Sequence, residues 1–200
     1  VLHRRIPKNQ SARLFFAGFS EIQKGIFCFT KFACGLPPYL DIMNGRKDKQ
    51  GGKVMSTADL IQAQRAFFAH GRTKNLAFRA VALERLERLI RAREHRLLRA
   101  LRQDLGKSNM EAYMTEIGLT CSELRYIAAH IHRWAAKKWV PTPLSQFPSR
   151  SFCQAEPYGV VLVMAPWNYP FLLSMEPLIG ALAAGNTVVL KPSAYAPHMA

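Results

Sequence analysis

The 200-residue sequence is 49% hydrophobic, which suffices for one domain with a core or for a piece of a larger protein. Lys and Arg total 28 against 13 Asp and Glu, and this formal charge of +15 raises nucleic acid or an anionic membrane as partners. Residues 1–54 carry 10 basic and 3 acidic residues, so nearly half of the excess lies there. The remainder is largely Arg interleaved with Glu on one predicted helix, which is typical of a solvated face. Because no nucleic-acid module or aromatic stacking pattern accompanies it, we predict no nucleic-acid partner.

The first 54 residues differ in character from the rest. Their apolar stretches, "ARLFFAGF" and "GIFCFTKFACGL", are too short for a transmembrane helix, so we predict no integral membrane segment. The glycine-rich, charged run "NGRKDKQGGKV" has the composition of a linker. Residues 1–54 are therefore an unassigned leader with three open interpretations. The first is a translated upstream stretch or an expression artefact, which would be non-native or disordered. The second is a basic targeting leader, and the third is a genuine extra domain.

Two long helical patterns follow. Ser56 or Thr57 is the expected N-cap of the first. From Asp59 to Leu105, apolar residues recur at helical spacing and predict one stripe of a long amphipathic helix that Gly106 ends: Leu83, Leu86, Ile90, Leu97, Leu101 and Leu105. A second helix is predicted from Ser108 to Lys138. Its apolar face would consist of Met114, Ile117, Leu124, Ile127, Ile131 and Trp134.

Cysteine and histidine usage excludes a disulfide framework and a metal site. The cysteines have no Cys-x-x-Cys spacing and no clear secretory signal precedes them, so we expect reduced thiols in a cytoplasmic protein: Cys28, Cys34, Cys121 and Cys153. His130 and His132 would point in different directions on a helix. We therefore predict no structural metal.

Beyond a proline-rich, β-leaning and exposed crossing segment over residues 144–155, the pattern changes. Val160 to Met164 is a continuous apolar run, typical of a strand covered on both faces in a parallel sheet. Pro170 to Ala184 has helical length and periodicity, Gly185-Asn186 ends it, and Thr187 to Leu190 is a second apolar strand. Strand, helix and strand in this order predict a right-handed βαβ unit.

Two polar residues follow the ends of these predicted strands. Asn168 lies in the segment that leaves the first strand, and Lys191 directly follows the second. In an open parallel sheet, ligands collect at the carboxyl ends of the strands. The amide and the ammonium are therefore expected to face one crevice, which indicates a binding site.

The motifs around these residues resemble the aldehyde dehydrogenase family, closest to its class-3-like branch. They are "EPYGVVLVMAPWNYP" and "GALAAGNTVVLKPS", and "LRQDLGKS" and "EIG" upstream are similar to that family too. The resemblance implies an α/β fold: amino-terminal helices plus the first βαβ unit of a Rossmann-like cofactor-binding domain, incomplete. Residues 55–143 would be the helical part of that domain, 144–155 the β segment or crossing loop, and 156–200 the first βαβ unit of the NAD(P)-binding domain, truncated.

The resemblance also implies roles for individual residues. In the family, a cysteine thiolate attacks the aldehyde, and an asparagine N–H stabilises the oxyanion of the thiohemiacetal; Asn168 matches that asparagine. Trp167, Lys191 and Ser193 match positions in the segments that bind the cofactor, NAD or NADP, with Lys191 at the adenosine ribose. Each has a simpler interpretation: a loop cap for Asn168, packing for Trp167, and solvation for Lys191.

One departure from the family's pattern concerns cofactor choice. Many relatives read Lys-Pro-Ser-Glu, whereas residue 194 here is Ala. A carboxylate would accept hydrogen bonds from the ribose 2′-hydroxyl and would repel a 2′-phosphate. Without it, Lys191 is free to pair with a phosphate. We therefore expect the full-length relative to use NADP as well as NAD.

The family's nucleophilic cysteine and general-base glutamate lie beyond this βαβ unit, and none of the four cysteines here fits the nucleophile's place. We therefore expect the chain to be an inactive amino-terminal fragment of an NAD(P)-dependent enzyme that oxidises aldehydes to carboxylic acids. The resemblance implies a homodimer at full length. The alternative is a non-catalytic truncated remnant that binds a nucleotide or pairs with a full-length subunit.

Overall fold

A computed structural model describes residues 27–28 and 56–200 of the chain. Its strands are β1 (Phe27–Cys28), β2 (Lys138–Val140), β3 (Ser151–Cys153), β4 (Val160–Met164) and β5 (Thr187–Lys191). Its helices are α1 (Thr57–Ala69), α2 (Leu76–Ala92), α3 (Glu94–Leu105), α4 (Asn109–Ala112), α5 (Gly118–Trp134) and α6 (Leu172–Ala183). A wide π-helical turn, Tyr113–Ile117, joins α4 to α5. The predictions for the leader otherwise concern residues outside the described ranges.

The main sheet is built around β5. Its order is β1-β5-β4, with β4 parallel to β5 from Val160 opposite Thr187 to Met164 opposite Lys191. Helix α6 connects these two strands, so the predicted βαβ unit is confirmed. On the other edge of β5, β1 pairs antiparallel, with Phe27 opposite Leu190.

The first predicted helix is in fact three helices. Ser56 caps α1: its Oγ accepts the Asp59 N–H at 3.1 Å, as expected of a capping box. Asn75 begins α2 by accepting the Ala77 N–H at 2.9 Å, and the chain breaks again at Arg93 before α3. The prediction of one long helix was therefore wrong, because a local cap and a break at Arg93 interrupt the periodic pattern. Gly106 ends α3 with φ +68°, as predicted.

The second predicted helix contains the wide turn, and this changes its apolar face. A π-helical turn contains one extra residue, so the side chains before the turn are rotated about the helix axis relative to those after it. Met114 is consequently exposed, whereas Ile117, Leu124, Ile127 and Ile131 are buried as predicted. Trp134, the last residue of α5, is exposed as well. Gly118 permits the turn, because a Cβ there would lie 2.9 Å from the Tyr113 carbonyl oxygen.

The core lies between one face of the sheet and helices α2, α5 and α6. On the opposite face, α1 contacts β5 and β4. Thr187 to Leu190 of the central strand are all buried, but Leu162 and Met164 of β4 are 58% and 61% exposed. Coverage of β4 on both faces was thus predicted wrongly, because β4 is the outer strand of the described sheet and α1 leaves Leu162 and Met164 of its second face exposed.

Strands β2 and β3 form a separate antiparallel pair, with Trp139 opposite Phe152. Their side chains are mostly exposed, as predicted for the crossing segment. Within residues 56–200, no helix is long and apolar enough to cross a membrane.

Candidate functional site

The carboxyl ends of β4 and β5 lie side by side and send two motif segments out from one edge of the sheet. Met164 and Lys191 are register partners, and the Ala165 N–H donates to the Lys191 carbonyl at 3.0 Å. The chain from Ala165 to Asn168 therefore leaves the sheet beside the chain from Lys191 to Ser193. The sheet register accordingly brings together the two segments that the sequence predicted to share a crevice.

Asn168 is exposed in the loop between β4 and α6. No hydrogen bond joins its side chain to any other residue in the described ranges, so it does not act there as a loop cap. Its neighbour Trp167 is 54% exposed. Both side chains are available to a ligand rather than packed in the core.

The second segment presents one ammonium and one hydroxyl near the surface. Lys191 is half-buried, whereas Ser193 is largely buried and its Oγ accepts the Tyr195 N–H at 3.2 Å. Ala194 and Tyr195 are exposed beside them. The surface next to Lys191 is thus open and, at position 194, has no carboxylate.

Glu116 holds the loop that carries Asn168, although the sequence analysis assigned it no role. Its side chain is fully buried in the wide turn before α5. Its Oε2 accepts the backbone N–H of Phe171 at 2.9 Å and that of Leu172 at 3.2 Å. These donors lie at the amino terminus of α6, where the helix leaves N–H groups unpaired and favours negative charge. Glu116 therefore caps a helix 55 residues further along the chain.

Lys107 completes this group of contacts. Its Nζ donates to Glu116 Oε1 at 2.5 Å, and it also lies 4.0 Å from the centre of the Tyr169 ring. Lys107 is 8% exposed, so its charge is compensated mainly by the carboxylate and the aromatic face. Lys107, Glu116, Tyr169 and the first turn of α6 will be called the loop anchor.

A sequence signal for the loop anchor was present. Glu116 shares a helical face with Ala112 and Thr120, both fully buried, so a charged residue in that row must have a buried partner. The partner itself, Lys107, could not be identified from spacing, because the wide turn changes which residues face each other.

Asn186, in the second motif, is a structural residue. Its Oδ1 accepts the Gly159 N–H at 3.0 Å, just before β4, and its Nδ2 donates to the Ala181 carbonyl at 3.3 Å. It therefore links the start of β4 to the end of α6. This explains an amide at that position without any contact to a ligand.

Cys121 and Cys153 lack the environment of a nucleophile. Cys121 is buried in α5, and burial, as the largest effect, raises the pKa of its thiol. A raised pKa keeps the thiol protonated, whereas thiolates are the reactive form. Cys153 is exposed on β3, which pairs with β2 and does not belong to the main sheet. Among residues 56–200, no cluster of three or more His, Cys, Asp or Glu side chains could hold a metal ion.

Comparison with known proteins extends these observations. Residues 49–200 match the model of the aldehyde dehydrogenase family. The chain is 47% identical over 136 residues to 4,4'-diaponeurosporen-aldehyde dehydrogenase of Staphylococcus aureus, which covers 68% of this chain and 30% of that protein. It is 43% identical over 136 residues to aldehyde dehydrogenase family 3 member B1 of Bos taurus, which covers 68% of this chain and 29% of that protein.

A solved structure gives the same result for the fold. The substrate-bound state of Staphylococcus aureus AldH aligns with a TM-score of 0.68 at 44% identity and covers 72% of this chain and 32% of that one. The chain thus spans about 30% of the length of the curated relatives it matches.

Proposed function

The chain belongs to the aldehyde dehydrogenase family, with class-3-like members among its relatives, and we propose that its protein oxidises an aldehyde to a carboxylic acid using NAD or NADP. The observation that carries this proposal is Asn168. Its amide is exposed and has no hydrogen-bond partner within the described residues, at the carboxyl end of β4 in the loop that the loop anchor holds.

Asn168 would donate a side-chain N–H to the oxyanion that forms when a cysteine thiolate adds to the aldehyde carbon. A neutral amide held in place suits this role, because it need not reorganise as the charge develops. Removing such a donor typically costs about 2.7–4 kcal/mol of transition-state stabilisation. None of the residues given a role above is the family's nucleophilic cysteine or its general-base glutamate. We therefore propose the complete reaction for the whole protein.

The residues at the end of β5 suit the ribose end of a dinucleotide. Lys191 offers an ammonium, Ser193 offers a hydroxyl, and Trp167 exposes an aromatic face across the same edge of the sheet. The cofactor accepts hydride from the substrate when bound; this chain's part is to bind and orient it. Because residue 194 is Ala, we include NADP beside NAD.

We also propose that the whole protein is a homodimer, as the family resemblance implies, and that it acts in the cytoplasm, as the cysteine usage indicates. The charge pattern and the Cys and His spacing lead us to propose neither a nucleic-acid partner nor a structural metal. Sedimentation of the natural protein tests the dimer, and a monomer at micromolar concentration would contradict it.

The experiment that tests the proposed function is an assay of nicotinamide reduction by the protein expressed from its natural gene, with a panel of aldehydes. Asn168→Ala should lower kcat by about 10²–10³-fold, since one oxyanion donor is lost. Asn109→Ala is the matched control, because Asn109 is an exposed asparagine on α4. Wild-type protein that reduces neither cofactor, or an Asn168→Ala variant with unchanged kcat, would overturn the proposal.

A further inference from the structure

We propose that Glu116 and Lys107 are positioning residues that orient the Asn168 amide through the loop anchor, an inference that rests on the function proposed above. Asn168 is exposed and makes no side-chain hydrogen bond to another described residue. The direction of its amide must therefore be set by the backbone on either side of it. The residues that follow Asn168 are those that the loop anchor holds.

The contacts begin directly after Asn168. Tyr169 receives the Lys107 ammonium over its ring at 4.0 Å. Phe171 and Leu172 donate their backbone N–H groups to Glu116 at 2.9 and 3.2 Å. One buried carboxylate thus fixes the backbone three residues beyond Asn168, and its partner lysine fixes the neighbouring side chain. On the other side, the hydrogen bond from Ala165 to Lys191 ties the loop to the sheet.

Local hydrogen bonds tie this loop only to α6 itself: the Tyr169 carbonyl accepts the Leu173 N–H at 3.0 Å, and the Pro170 carbonyl accepts the Ser174 hydroxyl at 2.5 Å. Helix α6 has no side-chain cap of its own, because its N-cap position is Phe171. A helix amino terminus is usually capped by a nearby Ser, Thr, Asp or Asn, which holds only its own turn. Here the cap comes from the wide turn before α5, so the loop is fixed relative to the helical layer and to the core.

The chemistry of Glu116 makes the arrangement specific. An ionised carboxylate accepts hydrogen bonds only, and all three groups that face it are donors: one ammonium and two backbone N–H groups. Glu116→Gln would turn one acceptor into a donor. The new amide group would then face either Lys107 or the two N–H groups, and one side of the loop anchor would be lost.

The first test compares Glu116→Gln with wild type in the natural protein. We expect kcat to fall by about 10–100-fold, because a displacement near 1 Å at a reacting centre can cost about 10²-fold. Any rise in the KM for NAD(P) should be smaller than the fall in kcat, because Lys191 and Ser193 lie on the other segment and only Trp167 lies on the Asn168 loop. Glu111→Gln is the matched control, since Glu111 is an exposed glutamate on α4.

The second test is a double-mutant cycle with Asn168→Ala. If Glu116 acts through Asn168, adding Glu116→Gln to Asn168→Ala should cause no further loss in kcat. A glutamate that merely supports the fold would lower kcat by the same factor in both backgrounds. If the double variant loses kcat by the product of the two single-variant factors, the positioning role is overturned.

Two further pairs of variants, one at Lys107 and one at Tyr169, guard against a variant that fails to fold. Lys107→Arg keeps the charge and should retain most of kcat, whereas Lys107→Met should behave like Glu116→Gln. Tyr169→Leu removes the aromatic face at a partly exposed position and should lower kcat, while Tyr169→Phe keeps the ring and should not. Equal kcat for Tyr169→Leu and Tyr169→Phe, together with equal kcat for Lys107→Arg and Lys107→Met, would contradict the proposal.

Hydrogen exchange separates this proposal from the function on which it rests. In Glu116→Gln, the amides of Phe171 and Leu172 should exchange faster than in wild type, with little change elsewhere in α6. An active wild type whose Glu116→Gln variant keeps full kcat overturns the positioning role alone. A wild type that oxidises no aldehyde overturns the proposed function, and the positioning role with it.

Discussion

Residue 194 bears on the proposed choice between NAD and NADP, because its side chain is small and uncharged. Lys191 is half-buried at the end of β5, and the exposed Ala194 beside it adds no negative charge. A 2′-phosphate near this edge would meet an ammonium and no carboxylate. The charge balance of the edge thus depends on whether residue 194 carries a carboxylate.

Ala194→Glu should shift the natural protein from NADP towards NAD. The new carboxylate would repel a 2′-phosphate by about 1 kcal/mol if the exposed charges lie about 4 Å apart, which corresponds to about fivefold in kcat/KM. Steady-state kinetics with both cofactors measure this ratio. Ala63→Glu, which adds the same charge on an exposed face of α1, is the control and should leave the ratio unchanged. Strict NAD dependence of the wild type would contradict the argument.

Among the elements, the carboxyl end of α6 shows how a side chain from another helix restricts a position to glycine. Arg79 of α2 donates to the Thr73, Lys74 and Ala183 carbonyls, so it joins the start of α2 to the last turn of α6. A cation is favourable at this end of a helix. Gly185 follows with φ +90°, and a Cβ there would lie 2.6 Å from the Arg79 guanidinium carbon.

Gly185→Ala should therefore destabilise the protein by about 1–2 kcal/mol or more, through its left-handed backbone and the clash with Arg79. Gly180→Ala is an informative control, because a Cβ at that helical position meets no atom within 4 Å. It should stabilise α6 by roughly 0.5–1 kcal/mol. Urea unfolding of both variants measures the difference, and equal stabilities would show that the region around Gly185 relaxes freely.

These elements also show how far local sequence patterns extend. The Gly106 and Gly185 helix ends and the buried row from Ile117 to Ile131 were predicted, because each depends on neighbours within a few residues. The βαβ unit was predicted from the order of its elements, although its strands pair 27 residues apart, from Val160 to Thr187. The wide turn was not predicted, since it leaves the composition unchanged and alters only which side chains of the helical pattern face the core. The loop anchor was missed because its partners are far apart in sequence. The proximity of the two motif segments was predicted from strand order, but the contacts that hold the Asn168 loop were not.

At the scale of the whole described molecule, stability depends on one contact layer between the sheet and the helices α2, α5 and α6. Leu178, in the middle of α6, is fully buried in this layer. It faces the same core as Leu83 of α2 and Leu124 of α5. Loss of packing here should affect all of these elements at once.

Leu178→Ala should lower the free energy of unfolding by about 2–5 kcal/mol, because it removes buried methyl groups and leaves a cavity. Leu119→Ala is the matched control on the exposed side of α5 and should change stability by no more than about 0.5 kcal/mol. Thermal or urea unfolding of the natural protein gives both values. A loss below about 1 kcal/mol for Leu178→Ala would mean that the layer rearranges to fill the space.

The cap that Glu116 provides for α6 has a consequence for the order of folding. A helix with a local cap can form its first turn early, because loop closure over a few residues costs little entropy. The Phe171 and Leu172 N–H groups at the start of α6 instead depend on a carboxylate 55 and 56 residues earlier, on a segment that must already have docked. The loop bearing Asn168 therefore takes its final shape only after the helical layer and the sheet have met. On heating, it should lose that shape before the core melts, so that activity would disappear ahead of the fold.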